Sequence, residues 1–360
     1  MKNKKILILL PDGIGLRNFA YSDFPEIAKN NGLELKYWNA TEFDLSELNL
    51  DAIKLDGQPH YKTDLMKNAR KKIEINRSLK LFKDDIYKHY ILSKKLKSLK
   101  QIIKYFWVEL LYLKYKNHLP KLREKLKNQE RKTPYYKKCI EQLKTEKPEM
   151  VFCISQRPVN GIAPVVAAQD LNIPTVCFIF SWDNMPKGLM VIDADYYLVW
   201  SDRMAKEFES YYPDVKTENI RVTGSPQFEM HFKDEFLLDR HKFFETYKLD
   251  PDKQYICFSG DDVTTSPHDQ HYLNDVLEAV KTLNTKGYNL GVIFRPCPID
   301  FTSRYDDILD NFSEIVVRIH PEWTKKGNIW NTVLPQLSDQ SLLYNTIHHC
   351  DLIINLGSSM

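Results

Sequence analysis

Residues able to do acid–base or anion chemistry sit directly after short apolar runs. Ile6–Leu10 leads into Pro11-Asp12-Gly13-Ile14-Gly15-Leu16-Arg17. An aspartate at that point can take the proton of a hydroxyl nucleophile, and His60 is the second candidate for such a base. Each also suits a purely structural role. Gly13 and Gly15 allow a tight path that brings backbone N–H groups toward a ligand. Their spacing is not a GxGxxG turn with a ribose-binding acid, and a loop that needs glycine only to turn is the alternative. A second polar loop, Ser181-Trp182-Asp183-Asn184-Met185-Pro186, follows the apolar run 175–180. Trp182, Asp183 and Asn184 are candidates for the wall of a cleft, or for an Asx-type turn over a packed tryptophan.

Anion-binding candidates lie in the second half. Tyr255–Gly260 opens into Asp261-Asp262 and then Ser266-Pro267-His268. Such a loop at a helix N-terminus presents N–H donors to a phosphate, which singles out Gly260, Ser266 and His268. Arg295 ends the run Val292-Ile293-Phe294 and precedes Pro296-Cys297-Pro298. Its fork suits a diphosphate; a salt bridge is the alternative. Arg318-Ile319-His320-Pro321 repeats the arrangement and is read as a decoy. Near the end, the apolar run 352–356 passes into Gly357-Ser358-Ser359, the way a phosphate-cradling helix N-terminus begins. No metal or other cofactor is expected. Asp261 and Asp262 are adjacent rather than spaced as a DxD pair. The six cysteines (139, 153, 177, 257, 297 and 350) lack CxxC spacing, which argues against structural zinc. Buried free thiols fit a reducing cytoplasm.

The elements that must hold these residues form two series. Lys5–Leu10, Met150–Ile154, Thr175–Ser181, Tyr196–Trp200 and Ile220–Gly224 make the first. Tyr255–Gly260, Leu290–Phe294, Ile315–Ile319 and Leu352–Leu356 make the second. Continuous apolar runs indicate strands buried on both faces of parallel sheets, and helical intervals between them require doubly wound α/β domains. The expected organisation is a first domain over 1–225, an interdomain segment over 226–253 and a second domain over 254–360. Residues 64–147 break the alternation and read as a helical insertion. Ile91, Leu92, Leu96, Leu99, Ile102, Ile103, Phe106, Trp107, Leu110 and Leu111 fall near helical spacing, and Pro120 and Pro134 mark turns.

At 360 residues and 43% hydrophobic composition the chain can bury sizeable cores. No run approaches the ~18 apolar residues of a membrane-crossing helix, and no cleavage-site pattern follows Leu10. Residues 67–147 carry 25 Lys and Arg against 8 Asp and Glu, a net +17. The rest carries 26 against 40, a net −14. So polarised a charge attracts phosphates, of nucleic acid or of an anionic membrane. The segment lacks an RNP-like or Gly-rich pattern, so nucleic acid is not expected. Lysines interleaved with Tyr105, Phe106, Trp107, Tyr112 and Tyr115 suit a lipid interface. The competing reading makes these residues the segment's own packing face, with Trp107 buried.

Val199-Trp200-Ser201 through Tyr212-Pro213, then Glu218-Asn219-Ile220 and Gly224-Ser225-Pro226-Gln227-Phe228, recur in this order in a known group. On these residues the chain resembles the GT-B superfamily, most closely the bacterial surface-polysaccharide UDP-glycosyltransferases, which are related to CDP-glycerol glycerophosphotransferases. The resemblance covers roughly 150–360. It implies two Rossmann-like domains, with the basic helical insertion in the first and a nucleotide-sugar donor, UDP-linked, on the second. It places Gly224 and Ser225 at the turn leaving the acceptor domain, on the donor side, and the 357–359 turn on the donor pyrophosphate. Asp12, Gly13, Gly15 and the 182–184 loop then belong to the acceptor side. Cys297 departs from the Arg-Pro-His-Pro pattern common in these transferases. The resembled donor helix and its acid would lie beyond Met360, so a C-terminally truncated donor domain is expected, and with it an activity that the piece alone need not show. The implied reaction is metal-independent sugar transfer to a surface-polysaccharide or lipid-linked glycan, in the cytoplasm or peripherally at the inner membrane face. A CDP-glycerol-type transferase and a sugar-nucleotide epimerase are the alternatives.

Overall fold

The computed structural model describes residues 4–91, 98–263, 265–327 and 332–357. Of the residues singled out above, Leu92, Leu96, Ser358 and Ser359 lie outside this set. The chain divides into two compact units, Met1–Pro226 and Gln227–Met360.

The first unit is built on seven strands: β1 (Lys4–Leu10), β2 (Leu33–Asn39), β3 (Ala52–Lys54), β4 (Met150–Cys153), β5 (Thr175–Phe178), β6 (Tyr196–Val199) and β7 (Ile220–Val222). They form one parallel sheet in the order β3-β2-β1-β4-β5-β6-β7. Leu7, Ile8, Leu9 and Leu10 are wholly buried, as a central strand covered on both faces requires. β2 and β3 were not in the expected series. Glu34 and Lys36 interrupt the apolar run of β2, and its salt-bridging lysine faces outward toward Glu146 and Asp51. The helices of this unit are α1 (Leu16–Phe19), α2 (Phe24–Asn30), α3 (Thr63–Phe82), α4 (Leu99–Tyr115), α5 (Leu119–Glu130), α6 (Pro134–Glu146), α7 (Ile162–Asp170) and α8 (Asp202–Tyr211).

The insertion is α3 to α6. Prolines in the first turns of α5 and α6 start those helices. Thr133 caps α6 by accepting the Tyr136 N–H (3.0 Å). The insertion packs onto the sheet. Met66, Ile73, Val108, Leu122, Cys139 and Leu143 share one core with Leu7, Trp38 and Val151 of the sheet. Amphipathic helices of this length gain most of their stability from such burial.

The second unit holds β8 (Gln254–Ser259), β9 (Leu290–Arg295), β10 (Val316–Arg318), β11 (Trp323–Lys325), β12 (Val333–Pro335) and β13 (Leu352–Ile354), with α9 (Arg240–Tyr247), α10 (Asp269–Asn284), α11 (Asp306–Asn311) and α12 (Leu337–His349). Four strands form a parallel sheet in the order β10-β9-β8-β13. β11 and β12 pair antiparallel; strands of three residues carry too little pattern to be read from sequence. Residues 227–253 belong to this unit rather than standing between two: Phe243, Phe244 and Leu249 bury against Tyr255, Cys257, Ile293 and Leu342.

Each sheet has one place where the strand order reverses. In the first unit it lies between β1 and β4, in the second between β8 and β13. Loops at the carboxyl ends of such strand pairs diverge and leave a crevice.

Candidate functional site

In the first unit the crevice is bounded by the loop after β1 and the loop after β4. Asn160 Nδ2 donates to the Pro11 carbonyl (2.9 Å) and ties the two together. Gly15 approaches Ile154 so closely that an added Cβ would lie 1.9 Å from Ile154 Cδ1. Asp12 is buried, and its Oδ1 accepts the Ile14 N–H (3.2 Å). Burial pushes its carboxyl above the ordinary aspartate value, against the opposing pull of Arg157 and the N–H groups of Ile14 and Gly15. A buried carboxyl with a raised pKa is a better proton acceptor than an ordinary aspartate.

Gln156, which sequence reasoning passed over, connects this loop to the next strand. Its Oε1 accepts the Phe180 N–H (3.0 Å), its Nε2 donates to Asn184 Oδ1 (2.9 Å), and its carbonyl accepts the N–H groups of Val191 and Ile192 (2.9 and 3.1 Å). Asp183 accepts from Ser181 Oγ (2.6 Å) and Asn184 Nδ2 (2.7 Å) and pairs with Lys187. Burial alone would raise its pKa; the bonds from Lys187 and Ser181 outweigh that and hold it below the ordinary value. Trp182 is not packed inside but 57% exposed. Two further buried polar groups, the Asn18 amide and Ser155 Oγ, have no hydrogen-bond partner. Nothing in their sequence context marked them. Such atoms are rare in native interiors and point to a polar occupant.

His60 is not part of this crevice. It follows β3, two strands from β1. Its N–H donates to Glu130 Oε1 (3.1 Å), its Nδ1 accepts from the Lys62 N–H (3.1 Å), and its ring lies 4.5 Å from that of Tyr61. Slight burial and the nearby Lys62 and Lys132 hold the imidazole below its ordinary pKa. Gly224 has a φ of +77°, which favours glycine. Ser225 next to it carries a buried Oγ with no partner. Both follow β7 at the end of the first unit.

In the second unit the ends of β8 and β13 are joined through Asp261, whose Oδ2 accepts the Gly357 N–H (2.9 Å). Gly260 lies against Phe294 and Tyr305, where a Cβ would meet Phe294 Cε2 at 3.1 Å and the Tyr305 hydroxyl oxygen at 3.2 Å. Asp269 Oδ2 accepts the Asp261 N–H (3.1 Å) and the Tyr305 hydroxyl (2.7 Å). Arg304 clamps the loop through the Ser266 carbonyl (2.6 Å) and Asp300 (2.7 Å). Gly260, Ser266 and Gly357 are thus brought to one loop cluster. His268 precedes α10 without capping it, its ring 6.1 Å from that of His271. The N-terminus of α10, read as a phosphate cradle, carries its own buried Asp269 in the first turn. Burial, with Asp269 and Asp262 adding to it, raises the Asp261 carboxyl.

Arg295 shares the backbone of this cluster but not its side chains. Its carbonyl accepts the Gly260 N–H (2.9 Å), while its guanidinium forms a buried ion pair with Asp339 (2.8 Å). Asp339 also accepts from the Glu322 N–H (2.8 Å) and Trp323 Nε1 (2.7 Å). Arg318, in the second of the two motifs, lines a cavity. A cavity of about 100 Å³ beyond the ends of β9 and β10 is lined by Phe294, Cys297, Tyr305, Arg318, His320 and Lys325. Arg318 pairs there with Asp306 (2.6 Å). His320 is held below its ordinary pKa by burial and by Arg318 and Lys325. The signal was present: the Arg318–Pro321 motif keeps the histidine that the 295–298 motif replaces with Cys297. Among the described residues no group of three or more His, Cys, Asp or Glu side chains is arranged to hold a metal ion.

No family model and no curated protein sequence matches the chain. Solved structures do. The UDP-GlcNAc 2-epimerase of Neisseria meningitidis, bound to UDP-GlcNAc, aligns over 97% of this chain and 76% of its own, at 11% identity and a TM-score of 0.53. The UDP-GlcNAc 2-epimerase of Methanocaldococcus jannaschii aligns over 97% and 77%, at 12% identity and a TM-score of 0.50. A glycosyltransferase from Rickettsia africae aligns over 98% and 73%, at 12% identity and a TM-score of 0.49. The likeness to the first two concerns the fold: this chain is an α/β protein of GT-B type, with two Rossmann-like parallel sheets and a basic helical insertion in the first unit.

Proposed function

We propose that this chain is a nucleotide-sugar enzyme, a glycosyltransferase that moves a sugar from a UDP-linked donor to a surface-polysaccharide or lipid-linked glycan. The observation that carries this reading is the buried Asp12 carboxyl at the reversal point of the first sheet. In the proposed reaction Asp12 takes the proton of the acceptor hydroxyl. The hydroxyl oxygen bonds to the anomeric carbon, the bond from that carbon to the phosphate oxygen breaks, and UDP leaves with the electron pair. Arg318 and Lys325 supply positive charge in the second unit. The UDP-GlcNAc bound to the Neisseria relative supports a uridine nucleotide. It also favours a second reading, since both solved structures at TM-scores of 0.50 and 0.53 are UDP-GlcNAc 2-epimerases.

Thermal shift with UDP, UDP-sugars and CDP-glycerol tests the donor class. A rise in Tm with UDP-sugars and none with CDP-glycerol is expected, and no response to any nucleotide would sink the proposal. Chromatography of the products separates the two readings. UDP release that requires a glycan acceptor supports transfer, whereas inversion of UDP-GlcNAc at C2 without acceptor supports epimerisation.

A further inference from the structure

We propose that the outward face of α4 docks on an anionic phospholipid surface, with the helix lying among the headgroups. Leu99, Ile102, Ile103, Phe106, Leu110 and Leu113 occupy one arc of the helix and are 41% to 72% exposed. The opposite arc is already used: Val108 and Tyr115 are buried in the core of the first unit. The charged side chains nearer the protein are used as well, Lys104 paired with Asp64 and Glu109 with Lys72. A helix between a core and water turns its charges outward. This one carries apolar side chains on both arcs, and the outer arc has no protein partner among the described residues. Contiguous apolar surface of this kind marks an interaction site.

Charge selects the occupant. The surrounding segment, 67–147, carries 25 basic against 8 acidic residues. Lys100, Lys114 and Lys116 are exposed along and beyond the helix, and Trp107, half exposed, flanks the arc. At the C-terminal end of α4 a cavity of about 310 Å³ is lined by Arg77, Lys80 and Lys116, with Tyr112 and a single carboxylate, Asp214. Three cations to one anion match a lipid phosphate. A second copy of this chain would bring the same cationic rim and repel it. The 17-residue helix is about 25 Å long and lies along the surface, since no helix among the described residues is long and apolar enough to cross a membrane. An apolar arc rimmed by lysines and a tryptophan is the pattern of an interfacial helix.

This inference goes beyond the nucleotide-sugar reading and does not rest on it. Its test is co-sedimentation of the full chain with phosphatidylcholine vesicles, with and without about a third phosphatidylglycerol. Recruitment by the anionic vesicles at low salt is expected, with release as salt rises and a blue shift of tryptophan emission that Trp107→Phe removes. The paired substitution Phe106→Glu and Leu110→Glu should lower vesicle partition at least roughly tenfold while leaving circular dichroism and Tm unchanged. Absence of recruitment, equal recruitment to neutral vesicles, or partition indifferent to the paired substitution would each overturn the proposal. So would a concentration-dependent dimer that the same substitutions abolish, because the face would then belong to a second copy.

Discussion

Asp12 and Arg295 are alike in sequence, each a charged residue ending an apolar run, yet their surroundings give them opposite roles. Asp12 is buried with its strongest opposing charge, Arg157, acting through space, and its carboxyl is raised. A raised acid favours the folded state most below the ordinary aspartate value of about 3.9, and that contribution is lost as pH climbs through its folded value. Asp12→Asn keeps a neutral side chain that still accepts from the Ile14 N–H. It should therefore raise Tm at neutral pH, leave it little changed at acid pH, and lower kcat of the proposed transfer by about 10²–10⁴. Unaltered transfer by Asp12→Asn would remove it as the base. Arg295 instead forms a buried ion pair with Asp339 through Nη2, while its buried Nη1 has no hydrogen-bond partner among the described residues. Arg295→Ala strands Asp339 without its counter-charge and should cost about 3–5 kcal/mol in urea unfolding. A cost near zero would show that Asp339 is satisfied without it.

At the level of elements, the insertion is fastened to the sheet by charge as well as by packing. Arg70 lies between Glu74 (2.9 Å) and Asp193 (3.2 Å), and Arg123 of α5 reaches Glu74 (3.1 Å). At the end of α6, Glu146 holds Lys5 of β1 (3.0 Å) and Lys36 of β2 (3.1 Å). Partial burial would raise the Glu146 pKa, but the bonds from Lys5 and Lys36 outweigh it and the net shift is downward. A lowered acid contributes fully above the ordinary glutamate value of about 4.3 and loses that contribution as pH falls through its folded value. Glu146→Gln should flatten the acid limb of a Tm-against-pH curve, and an unchanged limb would show that the clasp adds nothing. Packing supplies a contrast within the same insertion. Leu122 is fully buried, so Leu122→Ala should cost about 2–5 kcal/mol.

The molecule divides into two compact units. Among the described residues, one cluster joins the seven-stranded sheet to α3–α8, and two clusters of the second unit draw on residues from Leu238 onward. Residues 1–226 expressed alone should unfold cooperatively by calorimetry, since the cluster that joins their sheet to their helices runs from Leu7 to Ile220. A broad, non-cooperative transition would count against this division. The charge is divided as well, with a basic insertion against an acidic remainder. That division makes any electrostatic association of the protein depend on salt.

The sequence by itself located β1, β4, β5, β8 and β9, because a strand covered on both faces must be apolar at nearly every position. It located the insertion, because helical spacing persists there without strand runs. It also marked both reversal-point loops, where an added Cβ would clash with Ile154 at Gly15 and be tight against Phe294 and Tyr305 at Gly260. It did not reveal β2, whose outer face carries charge, or the β11–β12 pair, whose strands are three residues long. Tertiary structure alone decided the partners. Asp261 meets Gly357 across 96 positions, and Arg295 meets Asp339 across 44; local composition records neither contact. The choice between Arg295 and Arg318 followed from which guanidinium found a buried carboxylate. Periodicity showed that α4 has an apolar face. Only the packing of Val108 and Tyr115 against the core, with Leu99, Ile103, Phe106 and Leu113 left exposed, showed which apolar arc is turned outward, because periodicity records an apolar face and not what covers it.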